Sequence, residues 1–309
     1  MKKIKIYFFG LLLIASIHGF AQEAADTAFE KTVFWQISGN GLKDTSYLFG
    51  TDHPIFREDI HIADNMLEIL LKAKAVFFEY IPAVNNDSVF RAMNIMNKPR
   101  LRRLLGSISY NLLTGIFKRY NDTIVNDPLF LWMTPRYLNA RVIKDIFGSR
   151  LTNFDDILMA IAVGNDQPIF ALDRKEVRTE LMEMNSLDQQ ANNLYSLIEN
   201  IDKSTAVYTK HIKDLAALYY TGNIGYMYTR NNYLRINNQL NGMQIVRVPI
   251  AEDLLDKRNK SWLPVMETSM KVQLSFFAAG AAHLAGRNGL INLLRKKGYT
   301  VSPIFLEYK

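Results

Sequence analysis

Apolar residues follow two rhythms along this chain, and the two are segregated. Short apolar runs bounded by Gly, Asn or charged residues lie towards the ends: Thr32–Ser38, Ser46–Phe49, Ala75–Phe78, a run closing at Gly280 and another after Gly298. Runs of this length, rich in Phe, Val and Ile, predict strands. Gly39-Asn40-Gly41 with Lys43-Asp44 predicts a turn that pairs the first two as an antiparallel hairpin. Elsewhere the spacing is helical. Ile62, Met66, Leu67, Leu70 and Leu71 share one face of a helix over 62–73. After a break at Pro82 and Asn85-Asn86-Asp87, helices are predicted at 88–96, 99–119, 128–147 and 155–164, punctuated by Pro99, Pro128, Gly148 and Gly164. Gln167–Leu172 interrupts them as a short strand. Helical composition resumes over 174–241, Asn241-Gly242 turns the chain, and 251–272 is a further helix.

Strands at both ends with helices between them predict an α/β fold of α+β character. A central mixed sheet is built from N- and C-terminal strands, helices surround it, and a large helical insert covers about 83–250. Residues 22–309 are expected to form one domain.

One unit occurs twice. A strand, Gly-x-x-His, a helix and a second strand run from Ser46 through Gly50-Thr51-Asp52-His53 to Ala75–Phe78. The same order runs through Gly280-Ala281-Ala282-His283, a helix over 287–297, and the strand after Gly298. Gly280 is expected to let the chain bend at a strand end, and Gly298 to stop the helix. Phe77-Phe78-Glu79-Tyr80 even resembles Phe305-Leu306-Glu307-Tyr308. Each unit presents a histidine at the carboxyl end of a strand, where open α/β sheets place their ligands.

Composition changes the picture in three places. Lys2, Lys3 and Lys5, the apolar stretch Ile6–Ile17 and the small-residue site Gly19-Phe20-Ala21 predict a secretory signal peptide over residues 1–21, too short to span a bilayer. A secreted or periplasmic protein without a stable membrane anchor is expected. Secondly, the chain has no Cys, which excludes disulfides, cysteine nucleophiles and thiolate metal sites. Thirdly, the net charge of +7 falls to +4 without the three leader lysines, and no basic stripe runs among aromatics. Nucleic acid is therefore not an expected partner, and Leu101-Arg102-Arg103-Leu104 reads as a solvated helix face.

Four histidines follow the leader: His53, His61, His211 and His283. His61 and His211 lack the glycine turn and read as surface residues. Two imidazoles on neighbouring strand ends, with one carboxylate, suit a divalent transition metal with open positions for water and substrate. Glu79 is the best carboxylate, because it ends a strand beside Phe77-Phe78, where an ionised group needs a facing cation. The alternative is that Glu79 points outward and merely ends its strand. Asp52 offers a further ligand or base, although the neighbour of His53 normally points elsewhere. The chain has no His-Glu-x-x-His helix, no Gly-x-x-x-x-Gly-Lys-Ser/Thr loop and no Gly-x-Ser-x-Gly elbow.

Trp35-Gln36-Ile37-Ser38, Tyr47–His53, Phe78-Glu79, Lys257-Arg258-Asn259, Gly280–Gly286 and Gly298–Val301 together resemble the TraB/GumN family, over about 33–305. That family is related to the TIKI metalloproteases and to the ChaN/erythromycin-esterase-like fold. The resemblance implies a divalent metal (Mn, Co or Zn) on His53, Glu79 and His283, with these residues and Arg258 catalytic. Arg258 would bind a substrate carboxylate or an oxyanion, and Asp155 is implied more loosely. Leu172-Asp173 departs from the Leu-Glu of many relatives, and Asp52 replaces a residue that is usually uncharged. The expected activity is metal-dependent hydrolysis of a peptide or protein substrate. The rivals are peptide or signal binding without turnover, and haem or iron handling by analogy with ChaN.

Overall fold

The computed structural model describes residues 29–81, 91–92, 94–174, 185–233, 239–240, 243–244 and 252–308. The leader, the break after Pro82, residues 88–90 and 93 of the helix expected at 88–96 and the Asn241-Gly242 turn lie outside them. That helix does not extend to 96, because Asn94–Met96 are non-helical and Ile95 forms a β-bridge with Met133.

Six strands form the central sheet: β1 (Phe34–Ser38), β2 (Ser46–Thr51), β4 (Ala75–Phe78), β6 (Ile169–Ala171), β9 (Ser275–Gly280) and β10 (Thr300–Ile304). Their order is β10-β1-β2-β9-β4-β6. The β1–β2 hairpin is antiparallel as its turn predicts, and β1 pairs antiparallel with β10 as well. All other neighbours pair in parallel. Five strands thus run one way, and the carboxyl ends of β2, β9, β4 and β6 lie side by side along one edge. Two short antiparallel pairs stand apart: β3 (Ile55–Phe56) with β5 (Leu151–Thr152), and β7 (Gln239–Leu240) with β8 (Met243–Gln244).

The central strands are buried on both faces. Every residue of β4 is buried, and so is β9 from Ser275 to Ala279. That explains why their sequences are continuous apolar runs and not alternating ones. Helices α1 (Asp64–Lys72), α4 (Phe154–Gly164), α8 (Glu252–Met270) and α9 (Leu290–Lys296) contribute Met66, Leu70, Phe154, Leu158, Trp262, Met266 and Leu294 to this core. A second core joins α2 (Leu101–Arg119), α3 (Pro135–Phe147) and α5 (Leu187–Ile198) through Leu113, Phe117, Leu138 and Leu194. Helices α6 (Ile201–Tyr219) and α7 (Ile224–Tyr233) return the chain to the sheet, where Tyr219, Ile224 and Tyr228 join the first core.

Several expectations need adjustment. Within the 83–250 span the strand expected at Gln167–Leu172 is present as β6, which pairs with β4 as the edge of the central sheet; β5, which was not expected, pairs with β3. Helix α3 starts at Pro135 and not near 128, because Thr134 caps it and Pro135 supplies the fixed φ of a first turn. Arg102 and Arg103 are exposed as expected. Phe305–Tyr308 follows β10 at the far edge of the sheet, with Phe305 and Tyr308 exposed, so its likeness to Phe77–Tyr80 reflects no shared environment.

Candidate active site

The register of the parallel strands assembles the site. Gly50 of β2 lies opposite Ala279 of β9, and Thr51 opposite Gly280, so the two Gly-x-x-His turns leave the sheet together. Beyond β4 and β6 the ladder continues for two hydrogen bonds, Leu172 N to the Phe78 carbonyl and Asp173 N to the Glu79 carbonyl, both 2.8 Å. This sets Glu79 and Asp173 side by side. His53, His283, Glu79 and Asp173 therefore each follow the carboxyl end of one of four adjacent strands.

The motif glycines are required for room and not for backbone conformation, since neither adopts a positive φ. A Cβ on Gly50 would lie 3.0 Å from Ala281 Cα and 3.1 Å from Leu284 Cδ2. A Cβ on Gly280 would meet Glu79 Oε1 at 3.2 Å and His53 Cε1 at 3.5 Å, with His283 Cδ2 at 3.8 Å. The three residues singled out by the sequence therefore converge on Gly280.

Two neighbouring buried carboxylates need a cation, and Arg258 supplies it. This residue projects from α8 and is only 5% exposed. Its Nη2 donates to Glu79 Oε2 at 2.5 Å and to Asp173 Oδ2 at 2.8 Å, while Nε donates to Asp173 Oδ1 at 3.1 Å. Its Nη1 lies 3.1 Å from His283 Nε2. Trp262, one helical turn on, donates its indole N–H to Asp173 Oδ1 at 2.7 Å. Its ring lies under both the guanidinium (4.7 Å) and the His283 imidazole (4.4 Å).

Burial alone would raise the Glu79 pKa, but Arg258, then His283 and His53, and the Gly280 N–H at 2.8 Å hold it far below the usual carboxylate range. Burial lowers the His283 pKa to about 3; Glu79 opposes this, and Arg258 and His53 add to it. For Arg258 the cost of burial is outweighed by Glu79 and Asp173.

His53 differs on every count. Its side chain is 37% exposed and lines two clefts, one of about 110 Å³ and one of about 40 Å³. The larger has an apolar wall from Leu215, Leu218, Tyr219 and Met227, and Asp52 lines it as well, beside His53. The smaller is acidic, with Glu79, Asp155 and Asp156. Asp155 stands in the first turn of α4, its Oδ2 3.9 Å from His53 Nδ1. The protein crowded around His53 lowers its pKa, yet Asp155, Glu79 and Asp52 together outweigh that and raise it above the ordinary value. Burial in turn pushes Asp155 up to about 6, with His53 opposing and Glu79 adding.

The remaining histidines stand apart. His61 is exposed as expected, its ring edge against Tyr220. His211 is half-buried with Nε2 shut off from solvent, because α6 is covered around Ile212 by Phe56 and Phe147.

The chemistry of a metal site is present in His53, Glu79 and His283, but Arg258 already takes Glu79 Oε2 and faces His283 Nε2. Among the described residues no three His, Asp or Glu side chains are arranged around a common cation position. Sequence reasoning missed Trp262 and left Asp173 without a role. The signal for Asp173 was its position after a strand, the same as that of Glu79.

The model of the TraB/PrgY/gumN family matches residues 33–303, nearly all of the chain after the expected leader. The chain belongs to the TraB/PrgY/gumN family. The match embraces both Gly-x-x-His units, Glu79, Asp173 and Arg258 of this TraB/PrgY/gumN protein. No curated protein and no solved structure shows significant similarity to it. No helix among the described residues is long and apolar enough to cross a membrane.

Proposed function

We propose that this TraB/PrgY/gumN protein is an exported hydrolase of peptide-like substrates, acting outside the cytoplasm after loss of residues 1–21. One observation supports this most: His53 alone joins the strand-end cluster to both clefts, with the Asp155 carboxylate 3.9 Å from its Nδ1. In this reading His53 takes the proton of a water whose oxygen adds to the substrate carbonyl carbon. As the carbon–nitrogen bond breaks, the imidazolium returns that proton to the leaving amine. Asp155 steadies the charge formed on His53. Glu79, its Oε1 fixed by the Gly280 N–H, supplies a second negative charge beside the ring. Arg258 acts at one remove, keeping Glu79 ionised and in place. The apolar wall of the larger cleft suits a hydrophobic side chain of the substrate.

A divalent cation (Mn, Co or Zn) held by His53, Glu79 and His283 is the second form of the proposal, that of a TIKI-like metalloprotease. The donor types are right for it: Glu79 Oε1 lies 3.6 Å from His283 Nε2, and Arg258 would have to yield His283 Nε2 to the ion. Such an ion would lower the pKa of bound water and polarise the carbonyl.

The test is incubation of the purified protein with a peptide library, with and without each metal and with chelator. Cleavage that disappears in His53→Ala supports the hydrolase, and its dependence on metal separates the two forms. Peptide retained without cleavage favours a binding protein, and a Soret band after incubation with haem favours haem handling. Either outcome without turnover contradicts the proposal.

A further inference from the structure

The least conspicuous member of the cluster is Asn259, the residue after Arg258. It is 2% exposed, and although Asn259-Lys260-Ser261 spells a glycosylation sequon alongside those at Asn86 and Asn121, its amide is committed inside the protein. Its Nδ2 donates to two backbone carbonyls, those of Asn288 at 2.9 Å and His283 at 3.2 Å. A carboxamide flanked by two carbonyl oxygens on one side has a fixed orientation, because only its nitrogen can donate to them. Its Oδ1 therefore faces His283 Nδ1, at 2.6 Å.

An amide oxygen cannot donate, so the proton of this contact belongs to His283 Nδ1. On the other edge of the ring, Arg258 Nη1 faces His283 Nε2 at 3.1 Å. A guanidinium has no acceptor atom, so Nε2 must present a lone pair. Two partners lie within hydrogen-bond distance of the ring, each able to act in only one sense; Glu79 Oε1, the other polar atom near Nε2, stands off at 3.6 Å. Both assign the same tautomer: proton on Nδ1, lone pair on Nε2. Trp262 packs against the ring, its centroid 4.4 Å away and its plane tilted by 35°.

We propose that Asn259 is a positioning residue that makes His283 a permanent acceptor and, through it, seats Arg258 on Glu79. This rests on the hydrolase reading only for the purpose of the arrangement; the tautomer itself holds whatever the substrate. The same lone pair is what a metal-bound imidazole needs, so the assignment is compatible with both forms of the proposed function. Asn259 touches neither cleft and is not a catalytic residue.

The test uses the full mature chain with 15N-labelled histidine and arginine. In the unaltered protein at neutral pH, two-bond 15N–1H correlations are expected to show His283 with a pyrrole-type, protonated Nδ1 and a pyridine-type Nε2. Arg258 guanidinium protons are expected to exchange slowly with water. Asn259→Leu keeps the volume and removes the oxygen; it is expected to lose the single tautomer and to bring Arg258 into fast exchange. Asn259→Ser, whose hydroxyl still accepts, should lie between the two.

A His283 protonated on Nε2 in the unaltered protein overturns the proposal. So does a folded Asn259→Leu with unchanged His283 and Arg258 signals. Should Asn259→Leu fail to fold, the unaltered spectrum and Asn259→Ser decide the matter. None of these spectra depends on turnover, so they fail or succeed separately from the hydrolase reading.

Discussion

His53 and His283 occupy the same sequence motif on neighbouring parallel strands, and the protein treats them oppositely. His283 is 3% exposed, fixed as a neutral acceptor between Asn259 and Arg258, with its pKa pushed down to about 3. His53 opens onto both clefts and has its pKa raised by carboxylates. The motif delivers an imidazole to the edge of the sheet, and the element packed over it decides what the imidazole does. Over His283 lies α8, carrying Arg258, Asn259 and Trp262. Beside His53 stands only the acidic first turn of α4, with α6 and α7 set back to form the cleft wall.

The largest expected effect attacks the covered side. Arg258→Ala leaves Glu79 and Asp173 buried without their cation, and breaking such an ion cluster costs about 3–5 kcal/mol. Denaturant unfolding should show that loss, together with loss of any activity. On the open side, His53→Ala is expected to lower kcat/KM by about 10²–10⁴-fold, while stability falls by less than in Arg258→Ala. If both substitutions damage stability alike, the contrast between the two units disappears.

Acid sharpens the comparison further. His283 has a folded pKa below its unfolded value of 6.5, so its contribution is complete above 6.5 and declines as pH falls towards 3. Glu79 is likewise depressed, and its contribution declines below 4.5. Asp155 is raised, so it acts in the other direction: the stability linked to it is present below 3.8 and lost as pH rises through about 6. His53 is raised as well, and its contribution, like that of Asp155, grows as pH falls. These two offset the His283 loss near pH 6, so unfolding free energy should fall steeply only below about pH 4, where Glu79 and His283 both lose stability. In Asp155→Asn the loss between pH 4 and 6 that is due to this carboxyl should be absent.

The smallest effect concerns catalysis alone. Removing the Asp155 charge lowers the His53 pKa, so the acid limb of the pH–rate profile in Asp155→Asn should move to lower pH. A limb that stays put would detach Asp155 from His53.

Much of this could be read from the sequence, for definite reasons. Gly-x-x-His at Gly50 and Gly280 stood out because each follows a continuous apolar run, and a residue just past such a run sits at a sheet edge. Glu79 followed from the same reasoning. The fold class came from the segregation of the two rhythms. The partnership of Arg258 with Asp173 was hidden because it joins positions 85 residues apart through the β4–β6 pairing and the docking of α8. The role of the glycines was also hidden, since the close approach of Gly50 to Ala281 depends on the register of β2 against β9. Least legible was the inequality of the two histidines. Nothing within either motif encodes it; Asn259 and Trp262 do, from a helix that the motif does not contain.

A pH titration of the histidine ring signals by NMR tests the central claim most directly. His53 is expected to titrate with a midpoint above 6.5, and His283 to remain unprotonated at pH 5 in the folded protein. Two histidines in these motifs titrating together near 6.5 would contradict the account.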